Sequence, residues 1–237
     1  MISFRKISAL YCKNMKNIFY NPFIMTSPIV ILIMSYLFGM FIIPDDAPFE
    51  VTILILNMIV NMNAIMCGVM IMGILIAEEK EKNTLNVLIT STVSGFDFLA
   101  GSVLTTATIT VICNAAIYYI IGAQKFIPFG QFMLITTFAA IAAITFGATI
   151  GLLSKNQITA STITAPIFLL IIIPMFFRGS FFIDNVLYYL FTEQISISLM
   201  ELAESELNIL RILIISANFI VFGIIFGLCY RKRGLSA

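Results

Sequence analysis

Apolar runs of about twenty residues or more alternate along the chain with short stretches that carry nearly all of its charge. The six runs cover 23–43, 51–77, 98–122, 129–153, 158–177 and 207–230. A helix rises about 1.5 Å per residue, so a run of this length crosses the ~30 Å hydrocarbon layer of a bilayer. The apolar residues surround each run instead of forming one stripe, as expected where lipid and other helices cover every face. Pro22 and Pro44 bracket the first run, Glu78-Glu79-Lys80-Glu81-Lys82 closes the second and Arg231-Lys232-Arg233 the last. The pattern predicts an all-α integral membrane protein, a single domain over 1–237 with six transmembrane helices.

Three segments do not span. In residues 1–22, Phe4, Ile7, Tyr11, Met15 and Ile18 recur at helical spacing opposite lysines. That spacing predicts an amphipathic helix in the inner membrane interface, with a simple positively charged anchor as the plainer reading. In 78–97, Thr84 is placed to cap a short helix carrying Leu85 and Leu88. Ser94, with Asp97 three residues on, resembles a capping box that starts the third run. The segment 178–208 contains apolar stretches at 181–183 and 186–191 that are too short to cross a bilayer and too apolar for water. It predicts a re-entrant or interfacial helical hairpin. Ile195, Leu199 and Leu202 continue a helical stripe there, with Glu201, Glu204 and Glu206 left to face water.

Composition supports the membrane reading. Of 237 residues, 60% are hydrophobic and 11% charged, against about 25% charged in soluble domains. Charge then orients the chain. Ten of the 13 basic residues fall on one side of the predicted membrane and three, Lys125, Arg178 and Arg211, on the other. Basic residues favour the cytoplasmic side, so both ends are expected in the cytoplasm. The first 21 residues carry four basic side chains and lack a short apolar core with a small-residue cleavage site, so no cleavable signal peptide is expected. Cys12, Cys67, Cys113 and Cys229 lie within runs or on the cytoplasmic side, where thiols act as small hydrophobes.

Several chemistries are missing. The chain has no histidine, which removes His-dependent metal sites and Ser/His or Cys/His catalysis. No phosphate-loop motif G-x-x-x-x-G-K-[ST] occurs. No Asp, Glu or Lys lies within a run, and Arg211 stands only at the outer end of the sixth. Pumps and ion-coupled transporters commonly place ionisable relays inside their spans. No catalytic or metal-binding residue is therefore expected, and any transport should draw its energy from a partner.

The polar residues that do enter the runs are candidates for a path. Asn57, Asn61, Ala64 and Gly68 share one helical stripe. Their amides either bond another helix, an interaction of about 0.6–2 kcal/mol, or line a cavity. Thr105, Thr106, Thr108 and Thr110, with Thr159, Ser161, Thr162 and Thr164, can bond their own helix backbone. Asn57, Asn61, Met62, Thr159 and Thr162 form the candidate substrate path. Pro166 and Pro174 should bend the fifth run or break its outer end. Gly147-Ala-Thr-Ile-Gly151 and Gly223-Ile-Ile-Phe-Gly227 both match the small-xxx-small pattern of close helix pairs, and nothing in the sequence ranks one above the other.

The string Ile76-Ala-Glu-Glu-Lys-Glu-Lys-Asn-Thr-Leu-Asn-Val-Leu-Ile-Thr-Ser-Thr-Val-Ser94 resembles the signature of type 2 ABC exporter permeases. In that family a span ends in an acidic-basic run, a short coupling helix follows, and a Pro-x-Ser turn leads into the third span. Here Asn83 stands for the usual glycine and Thr92 for the usual proline. The order of the remaining parts is similar too: a connecting helix, six spans and an outer re-entrant hairpin between the fifth and sixth.

The resemblance implies a permease without ATPase activity, working as a homo- or heterodimer with separate ATPase subunits that hold ATP and Mg. It implies ATPase coupling through Glu78, Glu79, Thr84, Leu85 and Leu88, with the two leucines as apolar anchors in a groove of the ATPase. Glu78 and Glu79 would make polar contacts with the connecting helix or the ATPase. The bland reading of this run is a solvated helix end. Small permeases of this kind resemble bacterial plasma-membrane exporters of hydrophobic drugs or membrane-active peptides; a lipid-like cargo fits equally well. Competing readings are a non-transport membrane interaction or assembly protein and, with less support, a lipid-modifying enzyme. Nothing points to nucleic acid.

Overall fold

Each apolar run folds as a helix because the bilayer offers no other partner for its backbone groups. The computed structural model describes residues 4–44, 48–82, 95–176, 185, 187–204 and 208–233, and all regular structure among them is helical. The helices are α1 (Phe4–Tyr20), α2 (Pro22–Leu37), α3 (Phe49–Asn63), α4 (Ile71–Glu81), α5 (Gly95–Ile121), α6 (Phe129–Leu153), α7 (Gln157–Phe176), α8 (Phe191–Ala203) and α9 (Ile209–Arg233). Five stretches are long and apolar enough to cross a membrane: Pro22–Ile42, Phe49–Glu81, Gly95–Ile121, Phe129–Leu153 and Ile209–Arg231. The expected fifth span corresponds to α7, a 20-residue helix that runs through Pro166 and Pro174.

The bundle is built around one rod. α3 and α4 are joined by a π-helical segment, Ala64–Met70, into a continuous helix of 33 residues that is buried along most of its length. It can sit so deep because glycine and alanine let α6 approach it. A Cβ on Gly147 would lie 2.3 Å from the Val69 carbonyl oxygen, and one on Gly151 would lie 2.7 Å from that of Gly73. Gly68 meets Ala143 in the same seam. The two small-residue motifs therefore separate: Gly147 and Gly151 form the contact, while a Cβ added to Gly223 or Gly227 would meet nothing within 4 Å.

α5 covers another side of the rod. Asn63 Nδ2 donates to Thr110 O at 3.0 Å and to Asn114 Oδ1 at 2.8 Å, both buried. Thr105, Thr106, Thr108 and Thr110 each donate to the carbonyl four residues back, which removes their polar cost. α5 ends at Gly122, whose φ of +80° is the left-handed conformation glycine adopts without strain. The Tyr118 hydroxyl then donates to Ile127 O at 2.6 Å, tying down the turn into α6.

α1 packs on α5 and buries Ile7, Leu10, Asn14 and Ile18. The amphipathic pattern identifies Ile7 and Ile18; Phe4 instead is exposed. The fit is close, since a Cβ on Gly101 would lie 2.7 Å from that of Leu10. α9 lies on α6 through Phe146 and Phe222, whose tilted rings are 4.8 Å apart, and turns Ile220, Ile224 and Leu228 outward. An exposed apolar face of this kind suits lipid.

α8 departs from expectation. Its apolar stripe Ile195, Leu199 and Leu202 is buried, but so are Thr192, Glu193, Gln194, Ser196 and Ser198. Glu201 is a correction: it does not face water freely but accepts from Arg211 Nε at 3.0 Å and Nη2 at 2.7 Å. Helix α8 lies within reach of α9, and pairing satisfies the arginine at the helix end. Glu204 is exposed as expected, and Glu206 lies outside the described residues.

Candidate functional site

The acidic-basic run that closes α4 forms a polar cluster with α1. Glu78 and Glu79 are only 2% and 6% exposed, so their charges need partners. Glu79 Oε1 accepts from Lys13 Nζ at 2.6 Å, and Glu78 Oε2 accepts from Asn17 Nδ2 at 2.7 Å. Both donors belong to α1. Glu78 also accepts from Lys82, one turn on. That carboxylate holds the Lys82 ammonium above its ordinary range. A raised lysine value stabilises below the unfolded pKa and loses effect only as pH climbs through the raised one, so this pair persists at neutral pH. The run is therefore buried and paired at Glu78 and Glu79 and exposed at Glu81 and Lys82. Glu78 and Glu79 each contact α1, while Thr84, Leu85 and Leu88 lie outside the described residues.

The clasp continues onto two more helices. Lys80 Nζ donates to Leu152 O and Ser154 O at the end of α6, and Glu81 accepts from the backbone N–H of Gln157 at the start of α7. A cavity of about 220 Å³ lies beside this junction, lined by Phe23, Glu81, Gln157 and Ile158.

A larger groove of about 450 Å³ opens between the rod and α7, within the size range of small-molecule sites. Ile65, Met66 and Met70 of the π-helical segment form one wall; Ser161, Thr164, Ala165, Phe168 and Leu169 of α7 form the other. Ser161 and Thr164 already donate to Ile158 O and Ala160 O, so the groove presents an apolar surface. Its methionines are unbranched and polarizable and adapt to varied shapes. π-helical segments recur at functional sites.

Of the candidate path residues, Asn57 and Asn61 come together at Ser196, whereas Thr159 and Thr162 lie elsewhere, on α7. Asn57 Nδ2 donates to Ser196 O at 3.3 Å and Asn61 Nδ2 to Ser196 Oγ at 3.0 Å, so both amides bond α8. Met62 packs against the core. Asn156 caps α7, its Oδ1 accepting from the Thr159 N–H and hydroxyl, and Thr162 is exposed and bonded to Ile158 O. Thr159 lies beside the end of α4, roughly 30 Å along the rod from Asn57. Sequence patterning does not find the groove residues Met66, Met70 and Phe168, because apolar lining is indistinguishable in sequence from apolar core. Only the Ser161–Thr164 spacing hints at that face.

The side-chain oxygens Oδ1 of Asn57 and Asn61 are buried without a partner, which sets an expectation for substitution. An interhelical side-chain hydrogen bond in a membrane averages about 0.6 kcal/mol, whereas a buried unpaired polar atom costs about 1–3 kcal/mol. Asn61→Leu should therefore leave the unfolding midpoint in detergent unchanged or raise it. Ser196 keeps its bond to Thr192 O and is not orphaned. A loss above about 2 kcal/mol would contradict this balance.

Residues 49–229 match the family model described as ABC-2 family transporter protein. No curated protein matches the chain.

Proposed function

The chain belongs to the ABC-2 transporter family, a membrane permease of an ABC transporter, and from that premise we propose that it exports a hydrophobic or amphipathic cargo. The observation that carries this reading is the apolar, methionine-lined groove between the π-helical segment and α7. A membrane-active peptide, a drug or a lipid-like molecule can bury its apolar part there, since such a surface offers neither charge nor free donors. In this reading six spans cross a bacterial plasma membrane, α7 among them, with both termini cytoplasmic. In the same reading the outer re-entrant hairpin falls within 178–208, of which 178–184, 186 and 205–207 lie outside the described residues.

Energy comes from ATP and Mg on a separate ATPase subunit. Glu78 and Glu79 couple through α1, and Thr84, Leu85 and Leu88 provide the direct contact with the ATPase. A second permease subunit, identical or related, completes the pore. The permease itself carries out no covalent chemistry.

The test is association. With Leu85→Asp and Leu88→Asp combined, the ATPase that accompanies the tagged wild-type chain out of its native membrane should be lost. Two buried charges at an apolar anchor weaken binding by a hundredfold or more at about 1.4 kcal/mol per decade. Unchanged co-purification would overturn the assignment of 83–94 as the ATPase contact.

A further inference from the structure

Consecutive side chains of the run that ends α4 reach three different helices. Glu78 and Glu79 turn to α1, as described, but Lys80 turns away from it. Its Nζ donates to Leu152 O at 2.7 Å and to Ser154 O at 2.6 Å. Leu152 is among the last four residues of α6, whose carbonyls have no partner inside their own helix. The negative end of a helix also favours a cation. Lys80 thus caps α6 from another helix.

The corner it holds is stiff. Ser154 is fully buried, and both its N–H and its hydroxyl donate to Ile150 O, at 2.9 and 2.8 Å. Three residues on, Gln157 opens α7, with its N–H 3.2 Å from Glu81 Oε2. Its side-chain oxygen accepts from Asn21 Nδ2 at 3.3 Å. A displacement of the α4 end is therefore passed to the first turn of α7 through Lys80 and Glu81 together. Lys80 contributes the two shorter bonds. Four residues past Gln157, α7 begins to line the groove with Ser161, followed by Thr164 and Phe168.

We infer that Lys80 is a positioning residue for transport: it carries displacement of the end of α4 to the corner that opens α7 and so reshapes the groove wall. The inference rests on the transport reading above. Lysine suits the task because a flexible stem with three donors can span two carbonyls that belong to different turns. Methionine has similar length and no donor. Arginine keeps the charge and several donors.

The experiment uses the full-length chain with its accompanying ATPase in liposomes, comparing wild type, Lys80→Met and Lys80→Arg. Three quantities are read: ATP hydrolysis, ATP-driven movement of a lipophilic fluorescent dye, and hydrogen exchange of amides 157–161. For Lys80→Met, dye movement should fall roughly tenfold while ATP hydrolysis stays within about twofold, a split that simple destabilisation does not give. Exchange at 157–161 should quicken by roughly tenfold, with amides 52–60 unchanged as the internal reference. Lys80→Arg should recover most of the dye movement.

An unchanged ratio of dye moved to ATP hydrolysed overturns the inference, as does unchanged exchange at 157–161. Joint loss of hydrolysis and transport with the ATPase dissociated also overturns it, because Lys80 then serves to hold the partner. A wild-type chain that neither retains an ATPase nor moves dye defeats the transport reading itself. In that case the exchange measurement alone decides whether Lys80 fastens α7.

Discussion

Alanine in place of Gly147 should cost about 3 kcal/mol, the upper end for added methyl groups in a packed interior. The position allows no accommodation. A methyl there falls 2.3 Å from the Val69 carbonyl oxygen, 2.8 Å from Val69 Cα and 2.9 Å from its carbonyl carbon. All three are backbone atoms of the buried rod, so no side chain can swing aside. The rod and α6 must separate, and the interlock of Gly73 with Gly151 and of Gly68 with Ala143 loosens with them. Helix propensity works the other way by about 0.5–1 kcal/mol and does not close the gap. Thermal unfolding in detergent should show the loss for Gly147→Ala, while Gly223→Ala and Gly227→Ala, with open space around the added methyl, should gain about 0.5–1 kcal/mol from helix propensity alone. A stable Gly147→Ala chain would mean that the helices do not meet at this distance.

The second large effect is expected at the opposite end of the bundle. Arg211 donates Nε and Nη2 to Glu201, places Nη1 2.6 Å from the Tyr188 hydroxyl, and lies 5.7 Å from the centre of that ring. Arg211→Met leaves the Glu201 carboxylate without its cation. Stranding a deeply buried charge costs about 3–5 kcal/mol. Here the two side chains are 16% and 20% exposed, so solvent screens the stranded charge and about 2 kcal/mol is the expected loss. Lysine should restore only part of it, since one ammonium cannot reproduce the two-pronged contact. Arg211→Met combined with Glu201→Leu should recover most of the stability, because an apolar pair leaves nothing unpaired. If Arg211→Met alone unfolds like wild type, the contact does not hold α8 to α9.

Hydropathy makes the spanning runs legible, because the requirement for some twenty apolar residues leaves few alternatives. The same blocks cannot rank their own faces. Gly147-x-x-x-Gly151 and Gly223-x-x-x-Gly227 read alike, and only the packing separates a helix seam from an exposed surface. Nor does the sequence reveal that the rod is one 33-residue helix with a π-helical middle, since that change of pitch leaves no mark in composition. Asn57 and Asn61 are identifiable as buried, yet their partner Ser196 lies well over a hundred residues away, beyond what spacing can connect. Glu201 reads as solvated because an acidic cluster near an outer loop usually is. The groove stays hidden for the opposite reason: its lining is as apolar as everything around it. The acidic-basic run is visible as a cluster, but not its division among α1, α6 and α7.

The docking of α1 has a consequence in time. Its partners Glu78, Glu79, Ser102 and Thr108 stand 61 to 97 residues further along the chain. At a synthesis rate of about 5–20 residues per second, the ribosome delivers them roughly 3–20 s after α1 itself. Throughout that interval Asn14 and the apolar flank of α1 have no protein to cover them. An amphipathic helix can lie in a membrane interface over such an interval, its apolar flank toward acyl chains and its lysines toward headgroups. The amphipathic pattern thus suits two successive hosts, a lipid interface and then the flank of α5 in the finished bundle.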